Sequence, residues 1–230
     1  MGKMNFEKDS IKSFTNEESI VITFIMHGSL VIEYRGETIY VDPVMEYCDY
    51  NNMPKADHIL VTHDHFDHYD KDAINAIIKG DTILIGSPSV IEDYGRGISQ
   101  KNGDKHTHNE RIAVEAVPAY NVSEGALDFH PKGINNGYVL DLEGTRIYIS
   151  GDTELIPEME DLKDRIHIAF LSVNQPYTMT VDQAVEAAGI INPKIFYPYH
   201  YGQTEIDTPI DKLLEGLSVT GIDVRVRKLM

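Results

Sequence analysis

The stretch ILVTHDHFDHYD, residues 59–70, sets an apolar run directly against three histidines and three aspartates in the eight positions from His63 to Asp70. ADHILVTH, residues 56–63, reads as a buried strand, and it runs directly into the polar cluster. Imidazole nitrogen and carboxylate oxygen bind zinc and similar ions at about 2.0–2.2 Å. On a tight turn, His63 and His65 can point one way and Asp67 and His68 another, which would serve two neighbouring ions rather than one. Asp152, between Gly151 and Thr153 in YISGDTE, and His200 in YPYHYG also sit at strand ends. Taken singly, Asp152 reads as a turn residue and His200 as structural. Beside the first cluster, they complete a coordination set.

The chain of 230 residues is long enough for a sizeable core, and 42% hydrophobic against 25% charged residues places it among ordinary globular proteins. Twenty Lys and Arg against thirty-seven Asp and Glu give a net charge of -17. That field repels phosphate backbones and argues against nucleic-acid binding through a broad basic face. A small anionic substrate stays compatible, because bound cations reverse the local field. Cys48 is the one cysteine, so no disulfide can form within the chain. The opening MGKMNFEKDSIKSF has no apolar signal core, and no segment reaches the roughly 20 apolar residues of a membrane span. The expected location is the cytoplasm.

Around the cluster, SIVITFIM, LVIEYR and TIYVDP are β-rich runs broken by HGS and RGE, the pattern of an antiparallel meander. DKDAINAIIKG reads as a short helix capped by Asp70 and stopped at Gly80, and PSVIEDYG as another. DTILIG, RIAVEAVPAY, NGYVLDL, TRIYISGDT, IHIAFLSV and KIFYPYHYG read as strands, with DVRVRKL as the last. Thr180 and Gln183 have capping-box spacing before a helix, and Pro209 is expected in the first turn of TPIDKLLEGL. Two consecutive sets of strands, each with helices, imply two packed sheets with helices outside. No low-complexity linker divides residues 1–230, so a single domain is expected.

The H-x-H-x-D-H at His63, His65, Asp67 and His68, the G-D-T at Asp152 and the late His200 resemble the metallo-β-lactamase fold superfamily of metal-dependent hydrolases. The opening MHGSLVIEYRGETIYVDP is similar to that family's first hairpin, and the likeness runs from residue 20 to about 202. Within the superfamily, the chain resembles a small bacterial and archaeal branch, as well as lactonase-like and phospholipase-like members. The resemblance implies an α/β (α+β) chain folded as a four-layer αββα sandwich around two divalent ions, zinc first, with manganese or iron as alternatives. His63 and His65 would bind the first ion, and Asp67, His68 and His200 the second, with Asp152 between them. A bridging hydroxide would attack a small ester-type substrate, a lactone or a phosphodiester, with Asp67 carrying the proton. Many relatives associate, so a homo-oligomer belongs to the expectation.

The chain departs from the family where a further histidine usually completes the first ion's set. Asn121 of VPAYN occupies that slot. A weak oxygen donor there leaves the first site weak or empty unless His130 of DFHPKG replaces it. Tyr177 of PYTM is a candidate substrate contact and His27 of MHGS a candidate support for the site. Asp42 of YVDP is a candidate acceptor orienting a ligating histidine from behind. His106 and His108 read as a solvated loop, and VMEYCDYNNMP, with Tyr47 and Tyr50, as a pocket wall. Two other readings carry the same motif. A non-catalytic metal-binding or regulatory module accommodates the departure at Asn121. A di-iron oxidoreductase is disfavoured, because such relatives place Glu where this chain has His65.

Overall fold

The computed structural model describes residues 6–202 and 204–229. In the first sheet, β1 (Glu7–Lys12), β2 (Ser19–Met26), β3 (Ser29–Tyr34), β4 (Glu37–Val41), β5 (His58–Val61), β6 (Ile83–Gly86) and β7 (Ile98–Ser99) lie side by side in chain order. The second sheet lays out β8 (Lys105–His108), β9 (Ile112–Ala119), β10 (Asn135–Leu142), β11 (Thr145–Ile149), β12 (Ile168–Ser172), β13 (Ile195–Tyr199) and β14 (Asp223–Val224) in the same way. Each sheet is mixed. The pairs from β1 to β4 and from β8 to β11 are antiparallel, and those from β4 to β7 and from β11 to β14 are parallel.

Parallel pairing needs crossovers. Four helices supply crossovers in these halves: α1 (Lys71–Ile77), α2 (Pro88–Tyr94), α3 (Val181–Ile191) and α4 (Ile210–Leu217). Alternation along each strand then builds three apolar layers. Ile22, Ile32, Ile39 and Leu60 meet Leu140, Ile147, Ile168 and Tyr197 between the sheets. The opposite faces are covered by helices: Tyr40, Ile59 and Val61 by Ile74, Ile77 and Val90, and Tyr148, Ala169 and Leu171 by Ala184, Ala188 and Leu213. This is the αββα sandwich that the motifs imply.

Local signals explain where the helices begin. Asp70 accepts from the amides of Asp72 and Ala73, and Thr180 and Gln183 form both bonds of the capping box, a device worth about 1 kcal/mol. Some expectations need correcting. The helix expected to stop at Gly80 ends at Ile77, and Pro209 caps α4 rather than entering its first turn. DVRVRKL forms only the two-residue β14. The polar edge strand β1 lacks the alternation that marks a half-buried strand, and β8 contains the histidines expected in a loop. Cys48 is buried, and burial pushes its thiol up to about 11, which leaves it unreactive. Among the described residues no helix is long and apolar enough to cross a membrane.

Candidate metal centre

Parallel strands of both sheets deliver side chains from their C-terminal ends, the position where open α/β sheets place their sites. Asp42 follows β4, His63 to His68 follow β5, Asp152 follows β11 and His200 follows β13. His27 enters from the turn after β2, and His130 from the loop between β9 and β10. His27, Asp42 and His200 all adopt left-handed backbone, with φ of 56°, 44° and 52°. Such conformations cost about 1–3 kcal/mol each and persist where surrounding structure holds them. The His200 amide donates to the His27 carbonyl at 3.2 Å, tying two of the three together.

Behind the cluster lies a buried carboxylate. Asp42 accepts from the Thr62 amide, the Thr62 hydroxyl and His68 Nδ1, each at 2.8 Å. Because the Thr62 hydroxyl donates to Asp42, it accepts from His63 Nδ1 at 2.9 Å. Both histidines are thereby fixed with Nε2 facing the centre. Gly28 gives His68 its room, since a Cβ there would lie 2.8 Å from His68 Cε1. Gly151, at φ 61°, similarly passes the Asn136 carbonyl, where a Cβ would lie at 2.7 Å.

The ligand-type atoms fall into adjoining groups whose members lie within 4.8 Å of one another: His63, His65 and His130; His63, His68 and Asp152; and His27, Asp67, His68 and His200. Asp152 stands between them. Its Oδ1 lies 3.3 Å from His68 Nε2, and its Oδ2 lies 3.3 Å from both His130 Nε2 and His200 Nε2. His27 Nε2 is 3.0 Å from Asp67 Oδ2, and its ring lies 3.5 Å from that of His200.

Electrostatics follow from this crowding. Burial lowers His27 to about 4, so its neutral ring donates to Asp67. Burial would raise Asp67, but the His27 hydrogen bond and the neighbouring His68 and His200 hold it well below the usual carboxylate range. Burial likewise opposes charge on His68, yet Asp152 and Asp42 hold that imidazole well above the ordinary histidine range. A divalent metal suits this donor set. His63 Nε2 and Asp152 Oδ1 are buried with no hydrogen-bond partner, a costly state that a coordinated ion would relieve. His68 Nε2 and His200 Nε2 also converge at 3.0 Å.

Asn121 takes a different part from the one its slot suggests. Its Nδ2 donates to the carbonyls of Ala126 at 3.1 Å and Tyr177 at 2.7 Å, and it does not line the cavity. The Tyr177 carbonyl also accepts from His130 Nδ1 at 3.1 Å, which leaves His130 Nε2 facing Asp152. The Asn121 amide donates to the His130 carbonyl at 2.9 Å, closing the nine-residue excursion, so His130 returns beside the slot. The segment after Asp152 anchors this loop. Thr153 Oγ1 accepts from the Tyr120 amide, and the buried Glu154 carboxylate accepts from the amides of Val122 and Ser123 at 2.7 Å. Sequence reasoning missed Thr153 and Glu154, whose only signal was adjacency to Asp152.

Above the groups opens a cavity of about 630 Å³. Tyr47, Phe66, Phe129 and Tyr177 supply its apolar wall, and Glu46 and Glu205 its charge apart from the metal-facing groups. Tyr50, expected in the same wall, is buried with Tyr40 beneath the first sheet.

Two mixed sheets with strand-end histidine and aspartate groups at one rim define a metallo-β-lactamase-type metal centre. Residues 21–200 match the family described as beta-lactamase superfamily domain. A UPF0173 metal-dependent hydrolase from Nanoarchaeum equitans is 30% identical over 190 residues, covering 78% of this chain and 83% of its own. Another, from Ligilactobacillus salivarius, is 29% identical over 189 residues, with 78% and 84% covered. A crystal structure from Parabacteroides distasonis, with a provisional designation as metal-dependent hydrolase, shares 51% identity at a TM-score of 0.92. That match spans 98% of this chain and all of the other. The chain belongs to the metallo-β-lactamase superfamily, and within it to the UPF0173 metal-dependent hydrolases.

Proposed function

We propose that the protein hydrolyses a small uncharged ester, a lactone or a related acyl ester, at a centre of two divalent ions. His63, His65 and His130 would hold the first ion. Asp67, His68 and His200 would hold the second, with Asp152 between them. Imidazole with carboxylate suits zinc, and iron or manganese can take similar sets. When bound, such ions supply Lewis acidity, which polarises an acyl carbonyl and acidifies water.

The observation that carries the substrate class is the cavity wall. Among the described residues lining it there is no Lys or Arg, while Glu46 and Glu205 add negative charge. A phosphodiester would bring its own charge against those carboxylates, whereas an uncharged ester meets aromatic surface at Phe66, Phe129 and Tyr177. The chain's remaining task is to move a proton. Hydrolysis joins the oxygen of water to the acyl carbon, breaks the acyl C–O bond and delivers a proton to the departing alcohol. Asp67 is held ionised and oriented by His27, so it can accept the proton from water and return it to the alcohol.

The test is kcat/KM of zinc-loaded protein on an uncharged lactone and on bis(p-nitrophenyl) phosphate. Preference for the lactone by at least tenfold, abolished by Asp67→Asn, is expected. Preference for the phosphodiester would overturn the substrate class, and turnover of neither would favour a non-catalytic module.

A further inference from the structure

A second set of ligand-type side chains lies at the opposite rim of the sandwich. Glu37 opens β4 and His58 opens β5, the two strands whose far ends carry Asp42 and His63. The five residues from His58 to His63 place the two sets roughly 16 Å apart. His108 ends β8, in the other sheet. One ligand atom from each of Glu37, His58 and His108 lies within 4.8 Å of the other two.

His58 is the telling member. It is 1% exposed, and its Nε2 is buried with no hydrogen-bond partner. Glu37 Oε2 lies 3.4 Å from that nitrogen without completing a hydrogen bond, while Glu37 Oε1 accepts from Asn109 at 3.1 Å. One carboxylate oxygen is thus held in place and the other left towards His58. Ligands at about 2.0–2.2 Å in a tetrahedron lie about 3.3–3.6 Å from one another, and the 3.4 Å Glu37–His58 separation falls within that range. The His108 ring stands across from His58, with centroids 5.1 Å apart and planes at 73°.

We propose that Glu37, His58 and His108 form a separate binding site for a divalent transition metal such as zinc, clamping the two sheets together at the rim away from the cavity. Two imidazoles and a carboxylate are a common zinc set, with the fourth position open to water. The clamp joins β4 and β5 to β8, the edge strand of the other sheet.

The test compares the whole chain with two variants, His108→Gln and Glu37→Gln, by equilibrium dialysis against zinc and by thermal unfolding with and without zinc. Both positions are only partly buried, so both variants are expected to fold. Each should hold one zinc equivalent fewer than the unaltered chain, however many ions the cavity binds. Zinc at about a hundredfold above the site's Kd should raise the wild-type Tm roughly 5–10 °C further than that of either variant. Equal zinc equivalents in all three proteins would overturn the proposal, and so would equal Tm shifts. An imidazole–carboxylate contact without metal gives both of those results.

Discussion

Asn121 and His130, nine positions apart, are joined by a hydrogen bond from the amide of the first to the carbonyl of the second at 2.9 Å. That closure, with Asn121 Nδ2 and His130 Nδ1 sharing the Tyr177 carbonyl, sets His130 beside His63 and His65. On the proposed assignment of His130 to the first ion, Asn121 acts as a positioning residue. Asn121→Ala should weaken zinc binding about 10- to 100-fold, as loss of a ligand's supporting partner does. His130→Ala should remove one equivalent outright. Competition titration against a chelator distinguishes a weakened site from a lost one.

Gly28→Ala is expected to act on the metal centre without touching a ligand. Its Cβ would fall 2.8 Å from His68 Cε1, and that ring is held on its other side by Asp42. Either the ring or the backbone must give way, and about one ångström of displacement of a proposed ligand is enough to impair such a site. A loss of at least tenfold in zinc affinity, with cooperative unfolding retained, is the expected result. Unchanged affinity would mean that the turn yields instead.

Asp42→Asn replaces an acceptor of three hydrogen bonds by a group that must turn its amide towards one donor. The site is fully buried, so the mismatch should cost about 1–3 kcal/mol of stability. Urea unfolding of the metal-free protein measures that loss without involving the ions. In the loaded protein, His68 should also lose orientation, weakening zinc binding beyond the stability effect.

Metal uptake should release a proton. Burial would lower His68, but Asp152 and Asp42 outweigh it and raise its folded pKa above 6.5. In the metal-free protein that gain in stability is full below about pH 6.5 and is lost as pH rises through the folded value. An ion on His68 Nε2 must displace this proton, so zinc affinity should climb about tenfold per pH unit until the folded value is passed. Calorimetry at neutral pH, in buffers of different ionisation enthalpy, should show roughly one proton released from this residue. No buffer dependence would contradict the charged state of His68.

The parts of this centre that were legible in the sequence are those written contiguously. His63 to His68 lie on one turn, and Asp152 and His200 each end a strand whose apolar run is plain. The capping box at Thr180 was equally readable, because both of its bonds are local. What depended on long-range closure was not readable with the same sharpness. Nothing in VPAYN says that its Asn holds a loop, and the return of His130 depends on hydrogen bonds to Tyr177, fifty-six positions beyond Asn121. β1 escaped notice because an exposed edge strand needs no apolar face, and its partner β2 supplies the pairing. His108 looked like loop decoration because KHTHNE carries no apolar alternation, although pairing with β9 makes it a strand.

The most direct test of the central claim is anomalous X-ray diffraction at the zinc edge from crystals of the zinc-loaded protein. Two neighbouring peaks are expected at the cavity floor, one contacted by His63, His65 and His130 and the other by Asp67, His68 and His200, with Asp152 touching both. A single peak there, or His130 turned away with the first position filled by Asn121, would contradict the account.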